Sequence, residues 1–234
     1  MSTIVVDSST LISCAMNCLL WVFDEFKSQG VDFIVPEGVK YEVIDKGLRT
    51  KKFRFEAVRV AHHFINQTIE TSSEDIKDLT GELLEYANSS FYVKNNPIKI
   101  LQKADAEVAA LARKTNADAL MTDENTLRLL IENPDAIMKR LKHKLHTNVN
   151  VDKRKLYSFQ KKMGNIPVLR SVDLLAVALE DDKIFEPTFS RCEAGNISKK
   201  DVISGVLYAL KFSGCAVSFH EMEDLINLIL RSKK

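Results

Sequence analysis

Four acidic residues of this chain occupy positions from which their carboxylates could meet at one site. Asp7 and Asp123 each follow directly after a short apolar run, and Glu42 and Asp105 lie near the starts of amphipathic segments. Carboxylates held close together repel one another and raise one another's pKa values unless cations neutralise them. Hard divalent cations that prefer oxygen ligands, Mg²⁺ or Mn²⁺, are the natural partners of such a group. We therefore predict a metal site at these four residues.

Each of the four acids also has a simpler role open to it. Asp7 could cap the helix that follows it, and Asp105 could favour a helix N-terminus through the helix dipole. Asp123 could form an Asx turn or a helix cap, and Glu42 could be a surface acid. These separate roles do not explain why all four acids map to one end of one sheet, so the joint site is the favoured interpretation.

The elements that must position these acids follow from hydrophobic periodicity. Short apolar runs predict strands over residues 4–6, 33–35, 119–121 and 166–169. Helical spacing predicts helices over residues 11–26, 37–44, 51–69, 72–92, 104–114 and 125–131, and another that Ser171 caps. In the segment 51–69, the apolar face is predicted to comprise Phe55, Val58, Ala61 and Ile65. Strands that alternate with helices are typical of a mainly parallel sheet, whose functional groups collect at the carboxyl ends of the strands.

The last fifty or so residues have a different pattern. We predict an α/β domain over residues 1–180 with helices on both faces of its parallel sheet, followed by a helical extension over residues 181–234. Phe185-Glu186-Pro187 is typical of a linker, and two capping boxes open apolar-faced helices at Ser198 and Ser218. This helical hairpin is expected to pack on the main domain or on a protein partner.

Four short motifs follow one another between residues 1 and 175: Val5-Val6-Asp7-Ser8-Ser9-Thr10-Leu11-Ile12, Pro36 through Tyr41-Glu42-Val43, Ala104-Asp105-Ala106-Glu107-Val108-Ala109-Ala110-Leu111, and Leu120-Met121-Thr122-Asp123. Their order and their placement on the predicted elements resemble the motifs of PIN-domain nucleases. The resemblance implies a compact parallel-sheet fold and a metal-dependent endoribonuclease activity. Its catalytic and metal-binding quartet would be Asp7, Glu42, Asp105 and Asp123.

The resemblance also suggests roles for residues beside the quartet. Ser9 and Thr122 match small hydroxyl residues that support the acids. Glu107 and Glu124 are outer-shell ligands or surface acids. Two features depart from the family's pattern, namely a long basic stretch before residue 166 and the helical extension.

The basic stretch makes the charge distribution uneven. Residues 139–170 contain ten Lys or Arg and one acid, although the net charge of the chain is +1. Such an asymmetry suggests a polyanionic partner, here RNA, and a solvated basic face without a partner is the alternative.

Composition excludes several other classes. No apolar run reaches the roughly 18 residues of a membrane span. The N-terminus meets Asp7 too early for a signal peptide. The four cysteines contain no CxxC pair, the five histidines no HExxH spacing, and the chain no glycine-rich phosphate loop. We therefore predict a cytoplasmic protein with reduced thiols, and not a zinc ribbon, nucleotide kinase or dehydrogenase.

The predicted function is metal-dependent hydrolysis of RNA phosphodiester bonds. The alternative is a catalytically silent PIN-like module that binds RNA or serves as an assembly scaffold. Homodimerisation stays open.

Overall fold

The computed structural model of the protein describes residues 2–194 and 196–231. Its strands are β1 (Ser2–Val6), β2 (Val31–Val35), β3 (Ile69–Thr71), β4 (Phe91–Val93), β5 (Asn96–Pro97), β6 (Ala119–Met121), β7 (Asn150–Val151) and β8 (Val168–Leu169). Its helices are α1 (Ser8–Met16), α2 (Trp21–Ser28), α3 (Glu37–Lys40), a π-helical turn (Tyr41–Lys46), α4 (Gly47–Arg49), α5 (Arg54–Ile65), α6 (Lys77–Asn88), α7 (Lys103–Lys114), α8 (Asn125–Glu132), α9 (Pro134–Leu145), α10 (Lys153–Met163), α11 (Ser171–Glu180), α12 (Asp182–Ala194), α13 (Lys199–Phe212) and α14 (Phe219–Arg231).

A five-stranded parallel sheet in the order β3-β2-β1-β6-β8 forms the centre of the molecule. In its middle, Ile4 of β1 is in register with Phe33 of β2 on one side and with Ala119 of β6 on the other. Val5, Val6 and Leu120 are fully buried, as the continuous apolar runs require of strands covered on both faces. The predicted α/β fold with a parallel sheet is confirmed. Among the described residues, no helix is long and apolar enough to cross a membrane.

The predicted helix over residues 11–26 is two helices. α1 ends at Met16 because the Asn17 side-chain amide donates to the carbonyl of Ser13 at 2.8 Å and Cys18 adopts a positive φ of 59°. Asn side chains compete with the backbone for such bonds and favour helix ends. Cys14 in α1 is buried, and Cys18 in the turn is exposed.

The helix predicted over residues 51–69 is shorter and buries a different face. α5 covers Arg54–Ile65, and Ile69 belongs to β3. The buried side chains of α5 are Ala57, Val60 and His63, and the predicted apolar positions Phe55, Val58 and Ile65 are exposed. The prediction of the buried face was wrong, because apolar residues cover both sides of this helix and periodicity alone does not choose between them.

Two further segments differ from prediction. Residues 72–76 are not helical, and α6 begins at Lys77 and ends at Asn88 before β4. The basic stretch is ordered: it contains α9, β7 and α10, and β7 pairs antiparallel with β4. β4 also pairs with β5 in a hairpin whose turn residues, Lys94 and Asn95, have positive φ angles. A second sheet, in the order β5-β4-β7, thus stands beside the parallel one.

The predicted linker at residues 185–187 is wrong. It lies inside α12, where Phe185 is fully buried and Pro187 is part of the helix. α12, α13 and α14 pack on α11, and α13 and α14 also pack on each other. The capping box at Ser198 is present, since its hydroxyl accepts from the Asp201 N–H at 3.2 Å.

Candidate functional site

Asp7 lies at the carboxyl end of the central strand, where the sequence places it. Its N–H donates to the Met121 carbonyl, at the end of β6, at 2.9 Å, which continues the pairing one residue past β1. Its carboxylate is 2 % exposed and accepts from the Ser8 N–H at 2.7 Å, so Asp7 also caps α1. The simpler capping role and the site role therefore coexist in one residue.

Two hydroxyl groups hold the Asp7 carboxylate. Ser9 Oγ donates to Asp7 Oδ2 at 2.6 Å, and Thr122 Oγ1 donates to the same oxygen at 2.9 Å. Burial raises the pKa of Asp7, and these hydrogen bonds oppose the rise because they favour the charged form. The predicted support of the acids by Ser9 and Thr122 is confirmed for Asp7.

Asp105, in the first turn of α7, lies within electrostatic reach of Asp7. Burial first, and then the charge of Asp7, raise the pKa of Asp105 to about 7, with smaller contributions from Glu124 and Glu42. Its Oδ2 accepts from the Gln102 N–H at 3.0 Å, which fixes the side chain over the helix N-terminus. Asp7, Glu42 and Asp105, three of the four predicted acids, are therefore brought together with Glu124.

Glu42 joins the group from the π-helical turn that follows β2. Its Oε1 accepts from Lys46 Nζ at 3.4 Å, and its side chain is one third exposed. The π-helical turn lies between α3 and α4 in one continuous helical segment. Such turns insert one extra residue into a helix and are frequent at functional sites.

Asp123, the fourth predicted acid, is engaged elsewhere. Its Oδ1 accepts from the Ser171 N–H at 2.7 Å, and its Oδ2 accepts from the Ser171 hydroxyl at 2.7 Å. Its carboxylate is buried, and burial followed by the charge of Asp123 raises the pKa of Cys215 to about 12. Asp123 thus ties the end of β6 to the start of α11 and to the loop before α14.

Glu124 interacts by charge with Asp7 and Glu42, the role that the sequence predicts for its neighbour Asp123. Burial raises the pKa of Glu124, followed by the charges of Asp7 and Glu42, and the charge of Arg140 opposes this rise. From the sequence, Glu124 is expected only as an outer ligand or a surface acid. The sequence signal that could have indicated Glu124 is the pair of adjacent acids directly after β6. If one of them turns toward α11, the other is left to join the cluster.

Glu107, the other acid beside the motifs, packs against α3. Its carboxylate lies over Gly38, where a Cβ atom would come within 1.9 Å of Glu107 Oε2. Glu107 Oε1 is 3.2 Å from Lys103 Nζ. A side chain at position 38 would displace the Glu107 carboxylate, and the contact packs α3, next to the segment that carries Glu42, against α7.

The ligand types at the cluster suit a hard cation, but the side chains do not converge on a point. Asp7, Glu42, Asp105 and Glu124 offer only carboxylate oxygens, the donors that Mg²⁺ and Mn²⁺ prefer. Within residues 2–194 and 196–231, no three His, Cys, Asp or Glu side chains are placed so that they could hold one ion together. The arrangement is thus an acidic cluster in which the charges of Asp7 and Glu42 raise the pKa values of Asp105 and Glu124.

A basic cavity lies against α8 and α9. It has a volume of about 190 Å³ and is lined by three cations, Lys99, Arg140 and Lys144, among apolar side chains of α8 and α9. In the part of the chain that the structure describes, none of the three has a carboxylate within 4.0 Å. The effect of Arg140 on the pKa of Glu124 shows that this cavity is electrostatically connected to the acids.

Other basic residues of segment 139–170 have structural partners. Lys155 pairs with Glu85 and Lys162 with Glu82, so both attach α10 to α6. Arg170 makes ion pairs with Asp173 and Glu221, both at 3.1 Å. Part of the basic stretch therefore attaches its own helices to the rest of the fold. Lys99, which also lines the cavity, lies outside this stretch.

Comparisons with known proteins found no match for the chain among protein families, curated proteins or solved structures. The resemblance to PIN-domain nucleases therefore stays a prediction. The fold and the site define a parallel α/β domain with an acidic cluster at the carboxyl end of its central strand.

Proposed function

We propose that this protein is a metal-dependent endoribonuclease of the PIN type, which hydrolyses RNA phosphodiester bonds at the acidic cluster. The observation that carries the proposal is the buried Asp7 carboxylate at the carboxyl end of the central strand, held by Ser9 and Thr122. The pKa of Asp105, raised to about 7 by burial and then by the charge of Asp7, agrees with it. A protein that keeps carboxylates in mutual repulsion without a compensating cation loses stability. Strongly perturbed groups of this kind are typical of functional sites.

In this proposal Asp7, Glu42, Asp105 and Glu124 would hold a divalent ion after their side chains rearrange, since they do not meet at one point. The ion would supply polarisation of the phosphoryl group, activation of water and stabilisation of the leaving oxyanion. Ser9 and Thr122 keep the Asp7 carboxylate oriented toward the cluster, because both donate to its Oδ2. In this proposal Asp123 is a positioning residue, and Glu124 takes the place of the fourth acid.

RNA is the proposed partner. An acidic site alone would repel this polyanion, so cations are needed to bind it. The basic cavity holds Lys99, Arg140 and Lys144, which can bind the phosphates that flank the scissile bond. Phosphate contacts dominate the affinity of such complexes and position the strand. No catalytic serine, cysteine or histidine is required by this chemistry.

A catalytically silent RNA-binding or assembly module is the second candidate. One observation favours it: in the described part of the chain, no three acidic, histidine or cysteine side chains are arranged to hold one ion. A silent module would use the basic cavity in the same way. It would show RNA binding with no cleavage at any divalent ion concentration.

The test is cleavage of a panel of single-stranded and structured RNAs by the purified chain, with Mg²⁺, with Mn²⁺ and with a chelator. We expect cleavage that requires the divalent ion and that Asp7→Asn abolishes. The matched control is Asp118→Asn, the same chemical change at the opposite end of the sheet, where Asp118 Oδ2 accepts from the Thr3 N–H at 2.7 Å. Cleavage that Asp7→Asn retains, or that needs no metal, refutes the proposal.

A further inference from the structure

A surface with exposed aromatic rings lies beside Glu42. It spans residues 41–59 and presents the rings of Tyr41, Phe53 and Phe55, which are 51 %, 37 % and 70 % exposed. Large aromatic side chains are usually buried, and groups of them at a surface are typical of a binding site. None of the roles described above uses these rings.

Cations accompany each of the three rings. Arg49 lies 5.8 Å from the centroid of Tyr41, Lys52 lies 4.8 Å from that of Phe53, and Arg59 lies 5.9 Å from that of Phe55. Residues 41–59 contain six Lys or Arg and three acids, Glu42, Asp45 and Glu56. The surface therefore combines flat apolar rings with a net positive charge.

A cavity connects this basic–aromatic surface to the acidic cluster. Its volume is about 270 Å³, its walls are mostly apolar, and Phe53, Glu42 and Glu56 line it. Glu56 Oε2 is buried and has no hydrogen-bond partner among the described residues. A buried carboxylate oxygen without a donor is costly, so a ligand that supplies an N–H group would be stabilised there.

We propose that the basic–aromatic surface binds single-stranded RNA, with bases stacked on Tyr41, Phe53 and Phe55 and with one base inserted into the cavity against Glu56. The proposal rests on the proposed function in one respect: Glu42 belongs both to the cavity and to the acidic cluster, so the strand leads to the site of cleavage. Aromatic platforms with adjacent cations are the usual means of binding single strands.

The chemistry of this surface favours RNA over a protein partner. Stacked bases cover the rings, phosphates neutralise the cations, and a base N–H satisfies Glu56, so one ligand accounts for all three features. The cavity is slightly smaller than the roughly 300 Å³ at the lower end of ligand sites, which suits a group about as large as one base. Cytosine presents an N4 amino donor from which a carboxylate accepts. The only Watson–Crick-edge donor of uracil is N3–H, which lies between the O2 and O4 acceptors, and these oxygens repel a carboxylate.

The test measures binding of 12-nucleotide oligo(C) and oligo(U) by fluorescence anisotropy in the presence of a chelator, so that binding is observed without cleavage. Phe53→Ala and Phe55→Ala are each expected to weaken binding at least about fivefold, since one stacked base contributes about 1 kcal/mol or more. The matched control is Ile65→Ala, because Ile65 is 78 % exposed on the same helix as Phe55. We expect that variant to bind as the wild type does.

The cavity has its own readout. The wild type is expected to bind oligo(C) about fivefold more tightly than oligo(U), the value of one hydrogen bond of about 1 kcal/mol. Glu56→Gln offers an amide donor to uracil and should erase or reverse this preference without loss of total binding. Equal affinity of the wild-type chain for the two oligomers overturns the assignment of the cavity.

Three outcomes test the basic–aromatic surface separately from the proposed nuclease activity. If Phe53→Ala and Phe55→Ala both bind RNA with wild-type affinity, the assignment of this surface to RNA binding is overturned, whatever the cleavage assay shows. Self-association in sedimentation velocity that Phe55→Ala abolishes, with RNA affinity unchanged, also overturns it and identifies an interface between copies of the chain. Binding that needs Phe53 and Phe55, together with no cleavage under any condition, supports the surface and refutes the nuclease.

Discussion

Replacement of Asp105 by asparagine tests whether the acidic cluster stores electrostatic repulsion. The pKa of Asp105 rises from 3.8 to about 7, mainly through burial and then through the charge of Asp7. The folded protein therefore holds this proton to higher pH than the unfolded chain does. Because unfolding releases a proton between about pH 4 and pH 7, the free energy of unfolding falls as the pH rises through that window.

The magnitude follows from the size of the rise. One pKa unit corresponds to about 1.4 kcal/mol, so the charged form of Asp105 destabilises the wild type above pH 7 by at most about 4 kcal/mol. Asparagine removes the charge and keeps an oxygen for the Gln102 N–H. It forfeits the favourable charge at the N-terminus of α7, worth about 1 kcal/mol. We expect a net stabilisation of about 2 kcal/mol at pH 8.5, or about 4–8 °C in Tm for a chain of this size.

The assay is urea unfolding at pH 4.5 and pH 8.5 with a chelator present, followed by the fluorescence of Trp21, the only tryptophan of the chain. Asp105→Asn should differ little from the wild type at pH 4.5 and be more stable at pH 8.5. The control is Asp135→Asn, an exposed acid in the first turn of α9. A stability difference that is the same at both pH values refutes the reasoning, because a charge effect must depend on ionisation.

Three further predictions concern the neighbours of this cluster. Mg²⁺ at about a hundredfold excess over its Kd should stabilise the wild type by about 2.7 kcal/mol, and Asp7→Asn should lose this thermal shift; equal shifts in the two proteins would place the ion elsewhere. Asp123→Asn should lower the free energy of unfolding by about 1–3 kcal/mol, since an amide cannot accept both hydrogen bonds from Ser171, and urea unfolding would detect it. Arg140→Gln should reduce the salt dependence of RNA binding by about one phosphate contact, whereas Lys155→Gln, whose partner is Glu85, should leave the slope of a salt titration unchanged.

The sequence by itself determined the elements whose signal is local. The apolar runs before Asp7 and Asp123 are strands because they are covered on both faces of the sheet, and nothing distant is needed to recognise them. Parallel strands then bring their carboxyl ends to one edge, so the positions of Asp7 and Glu42 followed from the alternation of strands and helices. The support of Asp7 by Ser9 is equally local, two residues along the first turn of α1.

Only the tertiary structure decided which of two adjacent acids joins the cluster. Asp123 and Glu124 have the same local sequence context, and the choice depends on Ser171, which is 48 residues away and takes both oxygens of Asp123. The same holds for the exposed face of α5, because apolar residues line both of its sides and only packing against α1 selects one. Periodicity indicates which residues can be buried. Packing and hydrogen bonds between distant segments determine which of them are buried, and such contacts have no periodic pattern in the sequence.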